Sequence, residues 1–191
     1  MPTRKIINST YISLDGVIER PQEWPSFGDR GSRGDDLQAE LLFACDAVIM
    51  GRRTYEGFAP VWPTLSDPVS DRMNAMPKYV VSSTLTDPEW NNTSVISGDP
   101  VAEIGRLKEQ PGKDIVQYGF GPLSYALLEH ELLDELRLWF HPLFVGGRAE
   151  PADLLFRRSV TARFDLVDST TLENGVVVLA YRYAGAVSAD A

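Results

Sequence analysis

Short apolar runs alternate with stretches of helical periodicity over the first two thirds of the chain. Ile6-Ile7 opens a first strand, and Ala47-Val48-Ile49-Met50, Tyr79-Val80-Val81, Ser94-Val95-Ile96 and Ile115-Val116 supply later ones. Each is too short for a helix, and the later four are closed by Gly51, Ser82-Ser83, Ser97-Gly98 and Gly119. The unbroken run Ala47-Val48-Ile49-Met50 predicts a central strand buried on both faces.

Between these runs, Leu37, Leu41, Ala44 and Cys45 recur at i, i+4, i+7 and i+8, one face of a helix beginning near Asp35. Asp99-Pro100 predicts an N-cap followed by proline at the first helical position, with Val101, Ile104 and Leu107 forming the inner face of a helix that Pro111-Gly112 ends. Pro122 opens another helix in the same way, with Leu123, Ala126 and Leu127 turned inward.

The last third changes period. Leu136, Leu138 and Phe140 alternate with Arg137, Trp139 and His141, Phe164-Asp165-Leu166 does likewise, and Glu173-Asn174-Gly175 separates two strand patterns as a tight turn before Val176-Val177-Val178-Leu179. Four βα units followed by strands without helices predict an α/β domain of three layers (α/β/α), its central sheet mostly parallel and ending in an antiparallel C-terminal edge hairpin. Residues 1–185 read as one domain and 186–191 as a frayed tail. Trp139 and Phe140 put large residues on both faces of one strand, which predicts cover by a second subunit and hence a homodimer.

Charge narrows the partners. The net charge is −9, so the average surface repels phosphate backbones and anionic lipid, and neither a nucleic-acid nor a membrane partner is expected. No run approaches a membrane span and the N-terminus lacks a signal peptide's apolar stretch, so the expected location is the cytoplasm. Cys45, the single cysteine, reads as a core thiol. His130 and His141 lack the spacing that a zinc site needs, so no metal is expected. There is no GxSxG elbow and no P-loop.

Three strand ends do offer chemistry. Gly51-Arg52-Arg53-Thr54 opens a short helix after a buried strand, pairing close backbone approach with two guanidiniums suited to phosphate. Ser82-Ser83 supplies hydroxyls, and Gly119-Phe120-Gly121-Pro122 again runs from strand to helix, without the third glycine of a Rossmann fingerprint. All three fall at carboxyl ends of strands in one sheet, where open α/β folds place ligands, and together they predict a nucleotide site. The segment from Arg20 to Gly34, with Trp24 and Phe27, is long enough for a lid or binding loop, or for a surface excursion anchored by two aromatics.

Ser13-Leu14-Asp15-Gly16-Val17-Ile18, Val48 to Glu56, Val80-Val81-Ser82-Ser83, Tyr118-Gly119-Phe120-Gly121, Leu133-Asp134-Glu135-Leu136 with His141-Pro142, and Gly146-Gly147 together resemble the dihydrofolate reductase-like superfamily. Within it they are most similar to the branch of the C-terminal reductase domain of bifunctional riboflavin-biosynthesis proteins, over about residues 3–183. The resemblance implies NADPH as cofactor. Gly51, Arg52 and Thr54 would hold its adenosine phosphates, with Arg52, helped by Arg53, on the 2′-phosphate. Ser82 and Ser83 would lie by the ribose, and Gly119, Phe120, Gly121 and Leu123 would cradle the pyrophosphate. Asp15 would approach nicotinamide and substrate, and Asp35, with Asp36 beside it, falls where dihydrofolate reductases keep a pterin-binding acid. Trp24 and Phe27 would complete the substrate pocket. Phe120 stands where many relatives have glycine or serine, and Arg148-Ala149-Glu150-Pro151 follows Gly146-Gly147 where relatives often have another glycine. No deaminase half precedes the domain in this sequence, so the expectation is a reductase-like domain rather than a complete bifunctional enzyme.

The implied activity is an NADPH-dependent oxidoreductase that transfers a hydride to a pterin-like or ribosylaminopyrimidine-like small molecule, with Asp15 or Asp35 binding substrate N–H groups or relaying a proton. The plainer alternatives are that Asp15 is a turn residue before Gly16 and that Asp35 or Asp36 caps a helix. A non-catalytic nucleotide-binding protein on the same fold is the competing function.

Overall fold

The computed structural model describes residues 3–25, 28, 30–156 and 160–187, and Phe27 lies outside them, as do residues 188–191 of the expected frayed tail. In chain order the elements are β1 (Ile6–Ser13), α1 (Gly31–Ala44), β2 (Cys45–Gly51), α2 (Arg52–Phe58), α3 (Pro68–Ala75), β3 (Lys78–Val81), β4 (Thr93–Ile96), α4 (Pro100–Glu109), β5 (Asp114–Tyr118), α5 (Pro122–Glu129), β6 (Glu135–His141), β7 (Ala162–Thr171) and β8 (Val177–Ala186). They build one eight-stranded sheet of order β4-β3-β2-β5-β1-β6-β8-β7. The strands from β4 to β6 in that order pair in parallel, and β8 runs antiparallel between β6 and β7.

Two cores flank the sheet. Ile6, Ala47, Ile49 and Ile115 pack under α4 and α5 against Ile104, Leu107 and Leu127. The alternate residues Ile7, Val48, Met50 and Val116 pack under α1, α2 and α3 against Leu41, Leu42, Tyr55 and Met73. Ala47 to Met50 is therefore buried from both sides, which is why an unbroken apolar run is stable there. Cys45 opens β2 as a fully buried thiol, and burial raises its pKa to about 12.

Caps explain the helix starts that the sequence made visible. The Asp99 carboxylate accepts from the N–H groups of Val101 and Ala102, 3.0 and 3.3 Å away. Asp67-Pro68 repeats the device at α3, a helix the apolar periodicity did not reveal because Val69 and Met73 are its only large apolar side chains. Three further expectations are corrected. First, α1 begins at Gly31, with Arg30 as its N-cap, so Asp35 and Asp36 lie inside the helix and neither caps it. Second, β3 leads to β4 without an intervening helix. Third, Trp139 is 1% exposed within this one chain. It packs with Leu172, Val176 and Val178 and donates its indole N–H to Ser9 Oγ at 3.1 Å, so it needs no second subunit to cover it. The Glu173-Asn174-Gly175 turn forms as expected, with Gly175 at φ 83° and Leu172 and Val176 bonded across it.

One buried cation ties the α3 side together. The Lys78 ammonium donates to the carbonyls of Asn74, Met76 and Asn91 at 2.9, 2.8 and 3.1 Å and lies 4.5 Å from the Trp90 ring centroid. Burial lowers its pKa to about 8, which leaves it charged at neutral pH. Trp90 in turn donates its indole N–H to Asn74 at 2.8 Å and its backbone N–H to the Tyr55 hydroxyl at 3.2 Å, so the start of β3 is coupled to α2. Lys78→Met should leave three carbonyls without their donor and lower unfolding stability by roughly 2–4 kcal/mol in denaturant titration. A loss below about 1 kcal/mol would show that the ammonium is dispensable to that joint.

Candidate active site

The carboxyl ends of β1, β2, β3, β5 and β6 open on one edge of the sheet, at Ser13, Gly51, Val81, Tyr118 and His141. Two of the expected blocks meet there. Gly119 takes φ 75°, and a Cβ on it would fall 2.6 Å from Thr54 Oγ1. Both the dihedral and the space demand glycine, and the turn after β5 is thereby pressed against the first turn of α2. Above Gly51 nothing lies within 4 Å of a Cβ position, so that side of the edge is open.

Arg52 and Arg53 differ sharply. Arg52 donates its Nε to Glu56 Oε1 at 2.6 Å and an Nη to Thr84 Oγ1. Arg53 is 81% exposed, with Glu19 3.9 Å from one Nη. Ser82 is buried, and its hydroxyl accepts from the N–H groups of Thr84 and Leu85 at 3.2 and 3.0 Å, so it shapes the turn after β3, while Ser83 is exposed. Thr84, which sequence reasoning did not single out, is the hydroxyl that reaches Arg52. Phe120 does not crowd the turn. Its ring is buried in the core, edge-on to Tyr125 at 5.2 Å. Leu123 is buried in the same core.

The acids do not converge. Asp15 accepts from Ser13 Oγ at 2.5 Å, from Val145 N–H at 3.2 Å and from Gly146 N–H at 2.8 Å, tying the loop after β1 to the loop after β6. Partial desolvation works to raise its pKa, but the Ser13 hydroxyl and the Gly146 and Val145 N–H groups outweigh it and hold the carboxyl below its ordinary range. Such a carboxylate is a poor proton donor at neutral pH, and the turn reading fits it better than the catalytic one. Asp35 is exposed and ion-paired to Arg30 at 3.1 Å, and Asp36 beside it is exposed.

Side chains that sequence reasoning missed occupy the space between α1 and the ends of β1 and β6. Arg30 and Gln38 both donate to the Tyr11 hydroxyl, at 3.1 and 3.2 Å. The Tyr11 ring lies 4.8 Å from the fully buried His141 ring, and Trp24 stands edge-on to His141 at 5.4 Å. Nothing local in the sequence places Arg30 against Tyr11. Trp24 also lines a cavity of about 270 Å³ with Val17, Glu19, Leu143, Phe144 and Val145. Phe144 is exposed in that lining, and Phe156, also exposed, lies so close over Gly16 that a Cβ there would fall 2.5 Å from the ring.

The family described as the RibD C-terminal domain matches residues 4–178. The chain belongs to that family. It is 27% identical over 194 residues to the uncharacterized protein YyaP of Bacillus subtilis, covering 95% of this chain and 96% of that one. Among solved structures it is similar to a candidate riboflavin biosynthesis protein from Shewanella sp. PV-4 (TM-score 0.73, 20% identity, 95% and 99% of the two chains). It is also similar to Acinetobacter baumannii RibD (TM-score 0.65, 15% identity, 96% of this chain and 59% of that one). The dihydrofolate reductase-like fold expected from the motifs is thus the fold of this RibD C-terminal domain, with its antiparallel hairpin β7–β8 at the sheet edge.

In this RibD C-terminal domain His141, at the end of β6, is a strongly perturbed group. Burial, and after it the Arg30 charge, push its pKa from 6.5 down to about 4. The unfolded chain takes up a proton there below about pH 6.5 while the folded protein does not until about pH 4, so stability falls as pH drops through that window and levels off below it, by about 3 kcal/mol at most. His141→Gln should flatten that part of the melting temperature profile. An unchanged slope would assign the pH dependence to other groups.

Proposed function

We infer that this chain is a nicotinamide-dependent reductase that uses NADPH. The observation that carries the reading is the meeting of Gly51 to Thr54 with Gly119 to Leu123 on neighbouring strand ends, where Gly119 sits against Thr54 and the space above Gly51 stays open. Glycines let a phosphate approach backbone N–H groups, and the first N–H groups of a helix have no partner inside it. Arg53, with its guanidinium in solvent, and Arg52, held by Glu56 and Thr84, supply the positive charge that a 2′-phosphate needs. The inward turn of the Phe120 ring removes the crowding that its position suggested. These residues fit the cofactor, and a reduced nicotinamide, when bound, supplies a hydride.

The protein's own part is then to bind and orient. Asp15 holds the two loops together at the ends of β1 and β6, and Trp24, Tyr11 and the Arg30 side chain wall the region where the substrate would lie. A ribosylaminopyrimidine-like molecule suits this wall better than a protonated pterin. Arg30 and Gln38 are donors, and the acid bonded to Arg30, Asp35, is neutralised by it. This substrate class agrees with the structure described as a deaminase and 5-amino-6-(5-phosphoribosylamino)uracil reductase from Thermotoga maritima, which shares the fold at 13% identity and a TM-score of 0.65. The second reading, a nucleotide-binding protein without turnover, draws on the same engaged acids, since Asp15 is bonded into the loops and Asp35 is paired to Arg30. A homodimer remains part of the proposal on other grounds than Trp139: the outermost strand β7 leaves Leu166 and Val167 exposed.

The test is cofactor titration followed by turnover. NADPH should bind and be oxidised in the presence of a ribosylaminopyrimidine phosphate and not of dihydrofolate. Binding without turnover of either would favour the second reading. Arg52→Ala should weaken NADPH by about tenfold while changing NADH by less than about twofold, the scale of one charge-assisted hydrogen bond at an exposed site. Equal loss for both would show that Arg52 does not read the 2′-phosphate.

A further inference from the structure

A row of uncharged polar side chains crosses the core beneath the glycine turn. Asn8 on β1, Gln117 on β5 and Ser124 on α5 are each within 1% of full burial. Burying amides and hydroxyls in the middle of a parallel sheet costs desolvation that apolar side chains would avoid, so such a network calls for a reason. Its bonds form one connected chain. Thr10 Oγ1 donates to Asn8 Oδ1 at 2.7 Å, which fixes the amide so that Nδ2 donates to Gln117 Oε1 at 3.0 Å and to the Gly119 carbonyl at 2.8 Å. Gln117 Nε2 donates to Ser124 Oγ at 2.9 Å. That hydroxyl donates to the Gly119 carbonyl at 3.4 Å and accepts from Gly121 N–H at 3.2 Å. Every outlet of the network therefore ends on the backbone of Gly119 or Gly121.

The consequence follows from peptide geometry. A trans peptide points its C=O and the following N–H in opposite directions. Two donors holding the Gly119 carbonyl toward the core thus turn the Phe120 N–H away from it, and the Ser124 hydroxyl fixes the Gly121 N–H, so the path from β5 into α5 has one conformation. We propose that Asn8, Gln117 and Ser124 are positioning residues that hold the Gly119 to Pro122 turn, from beneath, in the shape that receives the pyrophosphate of a dinucleotide. The proposal rests on the cofactor reading above.

The experiment compares two ligands on one variant. Adenosine 2′-monophosphate probes the Gly51 and Arg52 end without a pyrophosphate, whereas NADPH uses both. Ser124→Ala should weaken NADPH about tenfold and leave the fragment within about twofold, the scale of one or two lost hydrogen bonds acting on one end of the ligand. Gln117→Met, close in volume and without donors, is read out in the same way if Ser124→Ala fails to fold. Equal loss of both ligands, or an unchanged NADPH affinity in a folded variant, would reduce the network to a packing feature and overturn the proposal. Failure of the unaltered protein to bind either ligand would instead sink the cofactor reading, and the proposal with it.

Discussion

The close approach of Gly119 to Thr54 is the constraint on which the site's arrangement depends. Because β2 and β5 are parallel neighbours, with Met50 opposite Tyr118, their following segments leave the sheet side by side and must share one small volume. A side chain at position 119 would collide with Thr54, and a left-handed φ there would strain any other residue. With glycine in place, α2 and α5 both start at the same edge. Neither helix needs to be long for this, since the sheet fixes where each one starts.

Around that contact the two faces of the sheet use different chemistry. Under α5 the support is neutral: amides and a hydroxyl, fully paired, hold the backbone still without introducing charge. Under α1 the support is charged or aromatic, with Arg30, Asp35, Tyr11 and His141 in contact. A cationic guanidinium beside the buried imidazole helps to keep it neutral, and the Arg30 charge is itself balanced by the solvated Asp35. Burial of an unpaired charge is thereby avoided although the region is only partly open to water.

How much of this the sequence disclosed follows the range of each interaction. Elements fixed by local rules were legible: the double-sided burial of Ala47 to Met50, the Asp99-Pro100 cap and the Glu173-Asn174-Gly175 turn depend on residues adjacent in sequence. The glycine blocks were legible as loci because their spacing from strands is local too. What was not legible depends on register. The turn role of Ser82, the Glu56 and Thr84 partners of Arg52, the latch from Asp15 to Gly146 and the Arg30 to Tyr11 bond join residues whose distance is set only once strand order is known. The same holds for Trp139, whose size hinted at a partner subunit until Leu172 and Val176 from the hairpin were found against it.

Asp15 shows how the place of a motif is legible before its role, which the sequence left open between a turn and the chemistry. Ser13-Leu14-Asp15-Gly16 does lie at the mouth of the strand ends, but its carboxylate spends its acceptor capacity on one hydroxyl and two backbone N–H groups. An anion bound so closely lowers the free energy of the loop arrangement rather than that of a proton transfer. Gly16 reinforces the same loop, because Phe156 covers the space a side chain would fill and the Leu155 N–H bonds the Gly16 carbonyl at 2.9 Å. The loops after β1 and β6 are therefore held to each other by the very groups that the motif made conspicuous.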